Sequence, residues 1–178
     1  MAAPGWAAES VEVCYNYGCA QTARVAFSDE QLGQLQELLA RSRDPEVERA
    51  VLAWAVGRLY LWAGEQSPIH ADRAGDLADD GVDGKMDCID HATTTDRFLR
   101  MLESRGWLRF HRVAPAARRT RLVIFQHFSA VVEALEAPPE GEAPPPRFVI
   151  DSWFVEQGVP AVVLPLSDWR DGDGPYVQ

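Results

Sequence analysis

Apolar and polar positions alternate over residues 11–17, with Val11 and Val13 on one side, and the alternation resumes over residues 22–27. Two short strands therefore open the chain, with Gly18 supplying the turn freedom between them. The period then changes. Ser28-Asp29-Glu30-Gln31 has the form of a capping box, in which the serine oxygen takes an exposed amide while Gln31 reaches back, and Leu32, Leu35, Leu38 and Leu39 follow at helical spacing to about Arg41. Asp44-Pro45 supplies an N-cap and a first-turn proline for a second helix, with Val47, Val51, Trp54, Leu61 and Trp62 along its buried side. Aromatics in such a stripe are read as core. The periodicity lapses over residues 66–87, which is the pattern of a surface loop. It returns at Cys88: Cys88, Ala92, Thr95, Leu99 and Leu102 share one helical face, with Asp87 as the N-cap and Gly106 just past the end.

The second half changes to strands. Residues 108–113 read as one strand, followed by a basic turn. Residues 121–135 are apolar on both faces, as in a central strand covered on both sides. The proline-rich tract 137–146 cannot continue a ladder, because proline lacks the amide donor, so it joins this strand to a return strand over 147–155. A short strand over 161–164 precedes a tail rich in Gly and Asp. The expected architecture is α+β, helices packed against an antiparallel β-sheet, with residues 1–178 as a single domain. Residues 1–9 read as a flexible tail or the remnant of an export signal. The first reading leaves a cytoplasmic chain and the second an exported, periplasmic one.

Composition narrows the partners. A chain of 178 residues buries roughly 70% of its unfolded surface, so its core requires neither metal nor disulfide. A formal charge of −10 repels nucleic acid and anionic lipid, and no run approaches the roughly 18 apolar residues of a membrane span. The charge is segregated, with Asp72, Asp76, Asp79, Asp80, Asp83 and Asp87 in the loop and Arg105, Arg109, Arg112, Arg118, Arg119 and Arg121 beyond the third helix. Both runs are read as solvated, with a substrate-facing role as the alternative. Asp76, Asp80, Gly81 and Asp87 fit a calcium-loop template only in part, because Ala78 stands at a ligand position. No metal or cofactor is expected. Cys14 and Cys19 either close a small loop in an oxidising compartment or remain buried thiols in a reducing one.

The candidate chemistry lies at Cys88, His127 and Asp151. A helix N-terminus favours thiolate and offers amides to an oxyanion, although Asp87 and Asp90 oppose ionisation of the sulfur. His127 emerges from an apolar strand face and supplies the compensating imidazole. Asp151, inside Phe148-Val149-Ile150-Asp151-Ser152-Trp153-Phe154, needs a buried partner, and His127 across the inferred hairpin is that partner. A nucleophile, a base and an orienting acid result. His91, one turn beyond Cys88, is read as a surface histidine; the alternatives are that it assists the thiol or joins Cys88, His127 and Asp151 in a four-donor zinc site. Trp153, on the face of Asp151, is a candidate pocket wall. His70 and His111 are read as surface or packing residues.

A helix headed by Cys, then a strand with His, then a strand with Asp resembles the core of the transglutaminase-like, papain-fold thiol enzymes, and the chain looks like a bacterial transglutaminase-like cysteine peptidase over roughly Met86 to Phe154. The resemblance implies Cys88 as nucleophile, His127 as acid-base and Asp151 as orienter. It also implies a thiol-protease-like hydrolase acting on a peptide, isopeptide or other amide bond. Transamidation or deamidation is the alternative, as is a non-catalytic protein-binding module of the same fold. Asp87-Cys88-Ile89 lacks the aromatic residue that commonly follows the nucleophile in transglutaminases. The Arg-Gly-Gly lead-in of arylamine N-acetyltransferases is also absent, so the resemblance leaves the substrate open. An upstream glutamine serves the oxyanion hole in papain-type enzymes, for which Gln66, Gln21 and Asn16 are the candidates.

Overall fold

The structure is a computed structural model that describes residues 9–76, 78, 81–121, 125–136 and 144–175. Strands β1 (Glu9–Tyr15) and β2 (Gln21–Phe27) pair antiparallel, and the turn between them carries four successive left-handed residues, Asn16, Tyr17, Gly18 and Cys19. Only glycine adopts that region without steric cost, so the other three need external support. They receive it from two sources. Cys14 and Cys19 are joined as a disulfide with Cα atoms 4.6 Å apart, and the amides of Tyr17 and Gly18 donate to Asp90 Oδ2 (2.8 Å) and Asp87 Oδ2 (3.0 Å). The turn is thereby fastened to the segment that carries Cys88.

Helix α1 (Asp29–Ala40) begins with the capping box read from the sequence: Ser28 Oγ accepts the Gln31 amide at 3.2 Å and Gln31 Oε1 accepts the Ser28 amide at 2.9 Å. Helix α2 (Pro45–Gly64) starts on Asp44, whose carboxylate accepts the Val47 amide at 2.8 Å. Its buried side is not the stripe expected. Val47, Val51, Trp54 and Leu61 are only partly buried, whereas Leu52, Ala55, Val56, Leu59, Tyr60, Trp62 and Ala63 are covered. The helix is enclosed nearly all round, so a search for one apolar stripe was the wrong template.

Gly57 shows how closely it is enclosed, since a Cβ there would lie 2.3 Å from the Val159 carbonyl oxygen. Alanine is ordinarily better in a helix by about 1 kcal/mol, but this overlap with backbone costs more, about 1–3 kcal/mol. The variant Gly57→Ala is therefore expected to lower the denaturant midpoint. A raised midpoint would show that the 157–161 segment yields freely.

Helix α3 (Cys88–Ser104) lies between β1 and the main sheet and ends before Gly106, whose φ is 70°. The main sheet is antiparallel in the order β3 (His111–Arg121), β4 (Phe125–Ala134), β5 (Arg147–Asp151), β6 (Val162–Pro165). This is the α+β arrangement of helices and antiparallel sheet. Three expectations are corrected. The basic stretch is strand rather than turn: β3 runs to Arg121, and Pro115 sits at a register shift between Ala114 and Ala117. Proline is tolerated there because β3 is an edge strand. The return strand stops at Asp151, and the tail contains a short helix, α4 (Leu166–Asp171), that the Gly and Asp content obscured. Leu122, Val123, Ile124 and residues 137–143 lie outside the described residues, as do Asp79 and Asp80 of the calcium template.

Nor are the charged runs wholly solvated. Asp72 and Arg119 are buried, and His111 is a core residue whose Nδ1 lies 2.9 Å from the buried Glu48 carboxylate. Glu48 also accepts the Arg109 and Phe110 amides, tying α2 to the start of β3. Among the described residues no helix is long and apolar enough to cross a membrane.

Candidate active site

The site is assembled at the N-terminus of α3 and the adjoining ends of β4 and β5. Asp87 caps the helix by accepting the Ile89 (3.0 Å) and Asp90 (2.9 Å) amides, and Asp90 returns the bond to the Asp87 amide at 3.1 Å. Cys88 is therefore the first helical residue, and it is the free cysteine of the chain. Its sulfur lies against the strand that carries His127, donating to the Gln126 carbonyl at 3.8 Å. Among the described residues it forms no hydrogen bond with the His127 ring. Burial pushes the Cys88 thiol up to about 11; hydrogen bonding from the Phe128 amide opposes this, and the carboxylates of Asp87 and Asp151 add to it. The helix end alone does not yield a thiolate. Asp90 carries a similar burden, with burial pushing its carboxyl up to about 6 against three amide hydrogen bonds.

His127 Nε2 lies 2.7 Å from Asp151 Oδ2, a distance that belongs to a strong, charge-assisted hydrogen bond. Asp151 is only 2% exposed, and it is fully supplied with donors: Trp169 Nε1 also reaches Oδ2 (3.0 Å), and the Trp153 amide reaches Oδ1 (3.2 Å). The imidazole is enclosed by Trp153, Phe154 and Trp169, with ring centroids 5.0, 5.1 and 5.6 Å away. This aromatic box fixes the ring plane and keeps water from the His–Asp bond. With Nε2 committed to Asp151, Nδ1 is the nitrogen left to meet a thiol.

Cys88, His127 and Trp153 line one cleft of about 220 Å³, together with Arg119, Arg121, Phe125, Gln126 and Phe154. The remaining candidates lie elsewhere. His91 is buried with both nitrogens engaged, Nδ1 to Ser152 Oγ (2.8 Å) and Nε2 to Asp72 Oδ2 (2.9 Å), so it neither assists the thiol nor faces the other three proposed zinc donors. Thr95 Oγ1 joins Ser152 at 2.9 Å, and Tyr60 donates to the His91 carbonyl at 3.0 Å. This network fastens α3, one turn after the cysteine, to the residue after Asp151.

Gln66 is occupied with the Ala26 backbone, accepting its amide and donating to its carbonyl at 2.9 Å each. Asn16 bonds Asp83 and the Gly84 amide. Gln21 pairs with Tyr15 at the start of β2. The glutamine that lines the cleft is Gln126. One further group of metal-binding type, Cys14, Cys19 and Asp90, has its sulfurs in the disulfide.

Sequence reasoning missed Trp169 and Phe154, and it held a substrate-facing role for Arg119 and Arg121 only as the alternative to a solvated run. Trp169 carried no signal because its helix was hidden in the tail. Arg119 stands directly opposite His127 in the β3–β4 register, a placement hidden by reading the basic stretch as a turn. The chain matches no protein-family model, no curated protein and no solved structure.

Proposed function

We propose that the chain is a thiol-dependent acyl-transfer enzyme of transglutaminase-like, papain-like type, with Cys88 as nucleophile, His127 as acid-base and Asp151 as orienter. The observation that carries this reading is the buried 2.7 Å His127–Asp151 bond, placed behind a cleft into which Cys88 opens. A buried carboxylate is costly to keep ionised, and here it fixes the tautomer of a histidine that lines the same cleft as a free thiol. In the reaction, the Cys88 proton passes to His127 Nδ1 as the sulfur adds to an amide carbonyl carbon. The imidazolium then protonates the departing amine, the C–N bond breaks and a thioester remains. Water attacks the thioester with His127 as base, restoring the thiol and releasing the acid. An amine in place of water gives transamidation. The Cys88 amide, at the first position of α3, is the donor at hand for the oxyanion.

The raised thiol pKa and the missing bond between sulfur and ring favour a second reading, a non-catalytic binding module of the same fold. Incubation of the chain with a peptide library, followed by mass spectrometry of new termini, separates the two. Amide cleavage or amine incorporation that disappears in Cys88→Ala is expected. No Cys88-dependent product, with a thiol no more reactive than that of an unstructured cysteine, would leave the binding module.

A further inference from the structure

Two guanidinium groups stand on the same strand face as the proposed base. Arg119 pairs with His127 across the β3–β4 ladder, and Arg121, two residues on, pairs with Phe125. Side chains directly opposite on one face are cross-strand neighbours, so both arginines project toward the chemistry. The Arg119 side chain is packed against the Trp169 ring, its guanidinium carbon 4.7 Å from the centroid, and the whole residue is only 9% exposed. Its Nη1 donates to the carbonyls of Trp169 (2.6 Å) and Asp173 (2.8 Å), and its Nε has no partner among the described residues.

No carboxylate among the described residues lies within ion-pair distance of either Arg119 or Arg121, in a chain with 27 acidic residues. Asp151, at the end of β5, is committed to His127, Trp169 and Trp153. Asp173 reaches Arg119 through its backbone carbonyl. The Asp151 and Asp173 carboxylates favour the Arg119 charge only through space, while its direct partners are neutral carbonyls and a ring face, so an anion in contact improves its position more than a neutral ligand does. Both arginines line the cleft, bordered by the segment after α4: an added Cβ at Gly172 would lie 3.9 Å from the Arg121 guanidinium, and one at Gly174 3.7 Å from Arg119 Nη2.

We infer that Arg119 and Arg121 form a carboxylate subsite in the cleft, so that the group acted on at Cys88 belongs to a molecule bearing a carboxylate close to the reacting carbonyl. The inference rests on the acyl-transfer reading for its meaning and on the two arginines for its geometry. Planar, forked donors suit a carboxylate, and Phe125, Trp153 and Phe154 supply aromatic walls beside them. The carboxylate belongs either to an acidic side chain or to a peptide C-terminus.

The test compares alkylation of Cys88 by iodoacetate and iodoacetamide, two reagents of similar size that differ in a carboxylate. The iodoacetate-to-iodoacetamide rate ratio is expected to fall by about fivefold in Arg121→Gln, an exposed position where folding is not at stake. Arg119→Lys, which keeps the charge but loses the fork, is expected to fall in the same direction. In a second arm, three capped tetrapeptides compete with iodoacetamide: one with a Glu and an amidated end, one of alanines with a free C-terminus, and one of alanines with an amidated end. Better protection by the first than by the third assigns a side-chain carboxylate, and by the second a terminal one. A ratio unchanged in both arginine variants overturns the inference, as does equal protection by all three peptides. Neither result touches the acyl-transfer reading, whose failure is instead a Cys88 that reacts equally fast with and without His127.

Discussion

Replacing His127 with alanine is expected to slow alkylation of Cys88 by iodoacetamide at neutral pH by about 100-fold or more. Burial holds the thiol at about 11, so the sulfur left to itself is thiolate in only about one molecule in ten thousand at pH 7. The imidazole is the group placed to take that proton. Its Nε2 is bound to Asp151, and its other nitrogen remains for the cysteine on the far side of a shared cleft. The sulfur rests on the Gln126 carbonyl in this structure, so a rotation of the cysteine side chain precedes proton transfer. Alkylation that is equally fast in His127→Ala would mean that the two side chains do not act together.

The second large effect concerns Asp151. Asp151→Asn preserves shape, but an amide can present N–H to His127 Nε2 and so favour the tautomer that points a proton, not a lone pair, at the thiol. Loss of Cys88-dependent amide turnover by about 1,000-fold is expected, with the fold retained by circular dichroism. Asp151→Ala is a poorer probe. It leaves His127 Nε2 and Trp169 Nε1 without an acceptor in a buried site, so lost activity and lost stability become mixed. Turnover within a few-fold of the parent in Asp151→Asn would assign the carboxylate a structural role only.

The legible parts of the molecule were those where local chemistry decides the structure. The Ser28 capping box, the Asp44 and Asp87 N-caps and the start of α3 at Cys88 all depend on hydrogen bonds between residues two or three apart. The pairing of His127 with Asp151 was legible for a different reason, because a carboxylate in an apolar strand demands a partner. What failed was governed by tertiary context. The face of α2 could not be read because nearly all of it is covered. Pro115 argued for a turn until its place on an edge strand at a register shift made it acceptable.

His91 and Gln66 looked like site residues by their type. They are consumed by Asp72, Ser152 and the Ala26 backbone, partners distant in sequence that no spacing announces. The cleft arginines were under-read by the opposite habit, their substrate-facing role standing only as the alternative. A basic run is ordinarily solvent-facing, and strand alternation turned Arg119 inward while Arg118 faced out.

The pH dependence of Cys88 alkylation in the parent chain tests the convergence of sulfur, ring and acid most directly. A thiol acting alone, with burial holding it near 11, reacts tenfold faster with each rise of one pH unit until that value is passed. A thiol served by His127 instead becomes reactive well below pH 9, and the low-pH limb vanishes in His127→Ala. A single rise toward pH 11, identical with and without the histidine, would contradict the account.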